Sequence, residues 1–238
     1  MMKPIFSRIL LKLSGEVLAG KKGFGLDPIV ANKLATEIKS VKDLGVNIGI
    51  VIGGGNIIRG ELAEVQGMDR VSADYLGMLA TIINSITLQD ALEKNNCETR
   101  TLSALSISQL AEPYIRRRAI RHLEKNRVII LAGGSGNPYF STDTAAVLRA
   151  IEIESEVIIK GTKVDGVYDK DPIKNNDAIK FDSISYKKVF DKDLKVMDMT
   201  AITMAKENNL PIIVYDVHHD DGLKKILTGE KIGTYVGN

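Results

Sequence analysis

The chain has 238 residues, 44% hydrophobic and 26% charged, with a formal net charge of +2. That length and apolar content support one large α/β domain or two small ones, and the near-neutral charge argues neither for a nucleic-acid binder nor for an acidic partner, so no nucleic-acid partner is expected. One cysteine, Cys97, excludes an intrachain disulfide and fits a reducing compartment, while 5% aromatic residues and no tryptophan disfavour a base-stacking platform.

The start, Met1 to Leu13, holds an apolar run, Arg8 to Leu13, that contains Lys12 and ends in Ser14-Gly15. It is too short and too charged for a signal peptide. No apolar stretch approaches membrane-spanning length, so a cytoplasmic chain with no membrane partner is expected. A glycine-rich loop, Gly20 to Gly25, follows. Asp27-Pro28 then reads as an N-cap with proline at the first helical position, and Val30, Leu34, Ile38, Val41 and Leu44 recur at helical spacing up to Gly45.

Val46 to Ile52 is an apolar run rich in Val and Ile, the pattern of a strand buried on both faces, and it stops in Gly53-Gly54-Gly55-Asn56. Glycines there permit the turns that converge backbone N–H groups on an anion, and Arg59 follows with a guanidinium suited to phosphate oxygens. The spacing predicts a long helix over 71–93 with Tyr75, Leu79, Ile82, Ile83 and Ile86 toward the core. A weaker strand over 98–102 and a basic helix over 114–125 come next.

Arg127 to Ala132 is a third strand ending in glycines, Gly133-Gly134-Ser135-Gly136-Asn137. A helix over 142–151, a strand over 156–160 ending in Lys160, and a polar excursion over 161–181 follow. Helices over 186–191 and 200–208, a strand over 210–215, a short helix over 222–228 and a strand over 233–236 complete the pattern. Strand–helix alternation of this kind implies a mostly parallel sheet with helices on both faces. With no internal repeat and no low-complexity linker, residues 1–238 read as one domain. Three glycine-ended strands then predict a phosphate-rich cleft at the sheet's carboxyl edge.

Several residues have a plain and a chemical reading. Gly15 to Lys21 matches the G-x-x-x-x-G-K spacing, but Lys22 stands where Ser or Thr should bind magnesium and Gly23-Phe24-Gly25 stands where a helix should begin, which argues against a P-loop. Lys12 and Lys160 each close a buried strand, where an ammonium is costly unless it meets an anion. A converging pair would suit phosphoryl transfer, in which charge spreads over the moving group's oxygens. Asp143 and Asp198 either cap helices or hold those lysines. Asp171 either starts a turn or lines a site, and Asp74 either serves the helix dipole or accepts from sugar hydroxyls. Arg116-Arg117-Arg118 with Arg121 and His122 is a solvated basic face, an anionic effector site or a subunit contact. His218-His219 lacks partners at metal spacing.

Taken together, Lys12 to Glu16, Gly53 to Asn56 with Arg59, Gly136 to Asp143, Lys160 to Val167 and Leu194 to Asp198 resemble the bacterial uridylate (UMP) kinases of the amino acid kinase superfamily, over essentially the whole chain. The resemblance implies a three-layer αβα sandwich and transfer of the γ-phosphoryl group of ATP, with Mg²⁺, to UMP. It implies that Lys12, Leu13, Ser14, Gly15, Gly55 and Arg59 lie around the ATP phosphates, with Thr162, Tyr168 and Asp171 on the adenine–ribose side. It places Gly54, Asp74 and Ser135, Gly136, Asn137, Pro138, Tyr139, Phe140, Ser141 and Thr142 around UMP, and gives Lys12, Lys160, Asp143 and Asp198 the catalytic roles. It further implies a homohexamer, inhibition by UTP, and activation by GTP involving Gly20, Lys21, Lys22, Gly23, Phe24 and Gly25. Two alternatives stay open: a superfamily kinase acting on an acidic amino acid or carbamate, and a nucleotide-binding sensor without catalysis.

Overall fold

The buried apolar runs form strands, and the amphipathic segments between them form helices, in the computed structural model, which describes residues 3–58 and 67–238. In chain order these are β1 (Arg8–Leu13), a 3-10 segment (Gly15–Lys22), α1 (Pro28–Lys42), β2 (Asn47–Ile52), α2 (Arg70–Lys94), β3 (Thr99–Ser103), β4 (Glu112–Pro113), α3 (Arg116–Glu124), β5 (Val128–Ala132), α4 (Thr142–Glu152) and β6 (Val157–Thr162). Then come β7 (Val167–Tyr168), β8 (Lys180–Phe181), β9 (Ser183–Ser185), α5 (Tyr186–Asp191), α6 (Met199–Glu207), β10 (Ile212–Asp216), α7 (Gly222–Leu227) and β11 (Thr234–Gly237).

Nine strands join one sheet in the order β4-β3-β5-β2-β1-β6-β10-β11-β9, and β7 and β8 form a separate antiparallel hairpin. All neighbours in the sheet run parallel except β10 and β11. The sheet is therefore covered on both faces, as a mostly parallel sheet requires. Ile9, Leu11 and Leu13 point to the layer made by α1, α2 and α7. Leu10, one residue out of step, points to the layer made by α3, α4, α5 and α6. The two-residue period of a strand thereby sends Lys12 to the α4 side along with Leu10.

Three findings differ from expectation. The segment expected as a loop from Gly20 carries a further short helical turn over Lys21 and Lys22: Ser14 caps the first 3-10 turns at Glu16 N, Gly20 breaks them with non-helical dihedrals (φ 57°, ψ −147°), and the second turn ends at a left-handed Gly23. Helix α2, at 25 residues, is long and apolar enough by length and composition to cross a membrane, contrary to the sequence expectation, yet its inner face packs in the core. Within α2, Tyr75, Leu79 and Ile83 are exposed, whereas the buried face consists of Ala73, Met78, Ala80, Thr81, Ile82, Asn84, Ser85 and Leu88. Only Ile82 of the expected core set is fully inside, and Ile86 is half-buried.

Candidate active site

The strand ends expected to carry glycines are neighbours: β5, β2 and β1 lie side by side, with β6 next in line. Their carboxyl ends form one edge, and two hollows open there. The larger, about 740 Å³, is lined by Lys12, Ser14, Lys160, Thr162, Tyr168 and Asp171 among others. The smaller, about 140 Å³, is lined by Gly54, Gly55, Asp74, Thr81, Ser135 and Thr142 among others. The volume of the first is typical of a small-molecule site.

A buried ionic cluster lines the larger hollow through Lys12 and Lys160, and its third member, Asp143, follows directly on Thr142 of the smaller one. Lys12 on β1 and Lys160 on β6 are register partners on adjacent parallel strands, so both side chains leave the same face of the sheet. Asp143, in the first turn of α4, ion-pairs with both: with Lys12 through Oδ1, and with Lys160 through Oδ2 at 2.8 Å. Lys160 Nζ also donates to the Val196 carbonyl at 2.6 Å. Burial works to raise the Asp143 carboxyl, but the ammonium groups of Lys12 and Lys160 and their hydrogen bonds outweigh it and hold it below the usual carboxylate range. Burial lowers the Lys160 ammonium, and the opposing pull of Asp143 does not fully offset it. Two cations against one carboxylate leave the cluster net positive, a setting that favours an incoming anion.

Asp198 has a different position from Asp143. It caps α6, accepting from Ala201 N at 3.0 Å, and it also accepts from the Ser141 hydroxyl and from Thr144 Oγ1 at 2.9 Å. Its carboxylate fixes the start of α4 against the start of α6 and thus stands one step behind Asp143. Ser141 in turn caps α4 by accepting from Asp143 N and Thr144 N. The N-terminus of α4, with its positive dipole end, faces the sheet edge beside Thr142, the arrangement by which helix starts hold phosphates.

The backbone at this edge is tightly packed. A Cβ at Gly15 would lie 2.5 Å from both Asn56 Oδ1 and the Gly53 carbonyl, and one at Gly54 would lie 2.8 Å from Ala80 Cβ and the Gly77 carbonyl. Only glycine allows such approaches, so the ends of β1 and β2 and the wall of α2 meet backbone to backbone. On the smaller hollow, Asp74 Oδ2 accepts from Tyr139 N at 2.7 Å and from Arg70 Nε at 3.0 Å. That contact pins the 135–142 segment to α2. At the larger hollow, Lys163 pairs with Glu16 across the mouth at 2.7 Å, and the Tyr168 hydroxyl donates to Asp165 Oδ1 at 2.7 Å. Asp171 Oδ1 accepts from Ile173 N, so it does initiate a turn while lining the cleft.

The expected site residues thus divide. Lys12, Ser14, Thr162, Tyr168 and Asp171 share the larger hollow with Lys160. Gly54, Asp74, Ser135, Phe140 and Thr142 share the smaller one, which also takes Gly55, expected on the other side. Leu13 is fully buried in the core layer of α1 and can offer a ligand backbone alone. Gly136, Asn137, Pro138 and Tyr139 belong to the same loop as Ser135 without lining the hollow. Arg59 lies outside the described residues. Thr81 and Asn84, both buried on α2, were not anticipated: Thr81 Oγ1 accepts from Gly133 N at 2.9 Å, and Asn84 Nδ2 donates to the Gly53 carbonyl at 2.6 Å. A hydroxyl and an amide in place of large apolar groups on an inner helix face were the only signal for them.

A family model for the amino acid kinase family matches residues 7–216. The chain belongs to the amino acid kinase family. Its fold superposes on the crystal structure of a UMP kinase from Bacillus anthracis with a TM-score of 0.94 at 40% identity, covering 98% of this chain and 96% of that one. A UMP kinase from Ureaplasma parvum gives a TM-score of 0.92 at 38% identity over 97% of this chain and 98% of that one. A uridylate kinase from Archaeoglobus fulgidus is more distant, with a TM-score of 0.72 at 25% identity over 96% of this chain and 99% of that one. For an amino acid kinase family member, the paired lysines at the sheet edge fit phosphoryl transfer. Arg116 and Arg118, candidates for an anionic site, engage Glu154 and Glu112 instead, and His122 turns inward between Glu112 and Arg127.

Proposed function

We propose that this chain transfers the γ-phosphoryl group of ATP to the 5′-phosphate of UMP, forming UDP and ADP. One observation carries the reading: two separate hollows open at one sheet edge, the larger lined by Lys12 and Lys160 of a net-positive cluster and the smaller by Thr142, the chain neighbour of the Asp143 that pairs with both lysines. ATP occupies the larger hollow and UMP the smaller, so their phosphates approach head-on between the lysines and the glycine-lined strand ends. An oxygen of the UMP phosphate bonds to the γ-phosphorus as the bond to the bridging β–γ oxygen breaks, and the electron pair leaves on ADP. The attacking oxygen is already ionised, so no general base is needed. Lys12 and Lys160 stabilise the charge on the moving group, and Asp143 holds both ammonium groups in place.

Among the described residues there is no cluster of three or more His, Cys, Asp or Glu side chains able to cage a metal. Mg²⁺ is commonly bound by one or two carboxylates plus substrate oxygens, so a magnesium ion would be carried mainly on the nucleotide phosphates, and Asp143, whose two oxygens face Lys12 and Lys160, would be a carboxylate available to it only by giving up one of those ammonium groups. Such an ion would neutralise phosphate charge.

Three finer readings belong to the same proposal. Assembly as a homohexamer is supported by the exposed apolar stripe Tyr75, Leu79 and Ile83 on α2, a surface that self-association would cover; a monomer mass by light scattering would remove it. Activation by GTP through the 20–25 segment and inhibition by UTP are supported by the resemblance of the motifs, and effector titrations of the purified protein test them. A cytoplasmic setting fits a single, buried thiol.

The testing experiment is an ADP-release assay with Mg·ATP and a panel of acceptors: UMP, CMP, acidic amino acids and carbamate. UMP alone is expected to support rapid turnover. Turnover on an amino acid or carbamate, or nucleotide binding with no turnover on any acceptor, would overturn the proposal.

A further inference from the structure

The chemistry at the sheet edge depends on where the glycine backbone lies, and two fully buried asparagines hold that backbone. Asn56, just after the glycine triplet, and Asn84, on the inner face of α2, are both fully shielded from solvent. Their amides face each other as a closed pair: Asn84 Nδ2 donates to Asn56 Oδ1 at 2.7 Å, and Asn56 Nδ2 donates to Asn84 Oδ1 at 3.0 Å. The second hydrogen of each amide goes to a main-chain carbonyl, Gly53 O from Asn84 at 2.6 Å and Gly25 O from Asn56 at 2.7 Å. Two carbonyl acceptors at those places dictate which way both amides point.

Three chain segments meet on this pair. Gly25 is gripped twice, since its own N–H donates to the Asn56 carbonyl at 2.8 Å. Gly53 begins the glycine triplet and is held from beneath by Asn84. Gly15, following β1, packs so closely over Asn56 Oδ1 and the Gly53 carbonyl that a methyl group there would lie 2.5 Å from each. The turn after β1, the end of the 20–25 segment and the turn after β2 are therefore registered against α2 by one pair of side chains.

We propose that Asn84 is a positioning residue for phosphoryl transfer, acting through Asn56 and the Gly53 carbonyl to set the glycine backbone at the phosphate cleft and to tie the 20–25 segment to it. This inference rests on the kinase reading above for its catalytic consequence, although the clasp itself does not. A buried amide with all its hydrogens used has no apolar substitute that leaves the carbonyls satisfied. Loss of Asn84 removes the side-chain partner of the Gly53 carbonyl and of the Asn56 amide, so that Gly25 is left bonded to an Asn56 side chain no longer anchored to α2.

The test compares the full-length native protein with Asn84→Ala and with Ser85→Ala. Ser85 is equally buried on α2, but its hydroxyl bonds only to the Thr81 carbonyl within the helix. Hydrogen exchange on the nucleotide-free proteins is the first readout and needs no activity. Asn84→Ala is expected to raise exchange at 21–26 and at 53–56 together, while Ser85→Ala leaves both unchanged. Steady-state kinetics with ATP and UMP is the second. Asn84→Ala is expected to lower kcat on the order of 10²-fold, the scale of a small misplacement of reacting groups, with smaller changes in either KM. Unchanged exchange at the two segments, or native kcat in a folded Asn84→Ala protein, overturns the proposal. A native protein that does not phosphorylate UMP overturns the kinase reading instead, and the exchange result still decides the clasp. Should Asn84→Ala fail to fold, Asn84→Asp, of the same shape but without the amide hydrogens, carries both measurements.

Discussion

Lys12 and Lys160 stand directly opposite each other on adjacent parallel strands, and a single carboxylate, Asp143, is ion-paired with both. Two like charges brought so close on one sheet face are tolerable because the aspartate lies between them, delivered by the start of a helix that packs on that face. The cluster carries one more positive than negative charge. A phosphoryl group passing over it would complete the neutralisation.

Removing Lys12 tests the role of that surplus charge. Lys12→Ala is expected to lose about 2.7–4 kcal/mol of transition-state stabilisation, the scale for deleting one preorganised donor. The measurement is kcat in an ADP-release assay at saturating ATP and UMP. A variant that turned over at the native rate would show that Lys12 has no part in the reaction.

Asp143 predicts a particular acid limb in the stability curve. The ammonium groups of Lys12 and Lys160 hold its native carboxyl below the ordinary aspartate value of about 3.9, so the unfolded chain is expected to take up this proton at higher pH than the native one. The stabilising contribution is complete above that ordinary value and is lost as the pH falls through the lower native one. Lys160 acts at the basic end with the opposite character: its lowered native value is a penalty on folding while it is charged, and stability rises as that penalty is relieved on raising the pH toward about 10.4. Urea unfolding from pH 5 downward should show a steeper loss for the native protein than for Asp143→Asn. Parallel acid limbs would mean that the ion pairs do not couple to folding.

Thr81 links the helix wall of the smaller hollow to the end of β5, by accepting the Gly133 N–H. Thr81→Val keeps the shape and removes the acceptor, leaving a buried donor unpaired at a cost of about 1–3 kcal/mol. A fall in the urea midpoint with an unchanged slope is expected, together with a raised KM for UMP and an unaltered KM for ATP. Equal rises in both KM values would place Thr81 outside the acceptor side.

Much of this arrangement was legible in the residues. Val46 to Ile52 could hardly be anything but a doubly buried strand, and the glycines after β1, β2 and β5 marked three ends that proved to be neighbours in the sheet. Lys12 and Lys160 were readable as a pair because a lysine inside an apolar run needs a reason. Helix α2 is present where its spacing predicts it, but the face it buries differs, for a physical cause. The large apolar residues Tyr75, Leu79 and Ile83 follow helical spacing but occupy its outer face, while the inner face uses small and polar groups to let the glycine turns approach. Thr81, Asn84 and the Asn56–Asn84 clasp carry no pattern in the sequence, because their partners, main-chain groups and for the clasp the opposite side-chain amide, are remote along the chain and no periodicity registers them. The two-residue strands β4, β7 and β8 are defined by pairing alone and carry too little pattern to read.

The central claim is that two nucleotides meet at one phosphate zone across the Lys12–Asp143–Lys160 cluster. The most direct measurement is calorimetric titration with adenosine and uridine joined 5′ to 5′ through a chain of phosphates, followed by displacement with each mononucleotide. One ligand per chain, displaced by ATP and equally by UMP, is the predicted result. A ligand displaced by ATP alone, with UMP still able to bind beside it, would contradict the account.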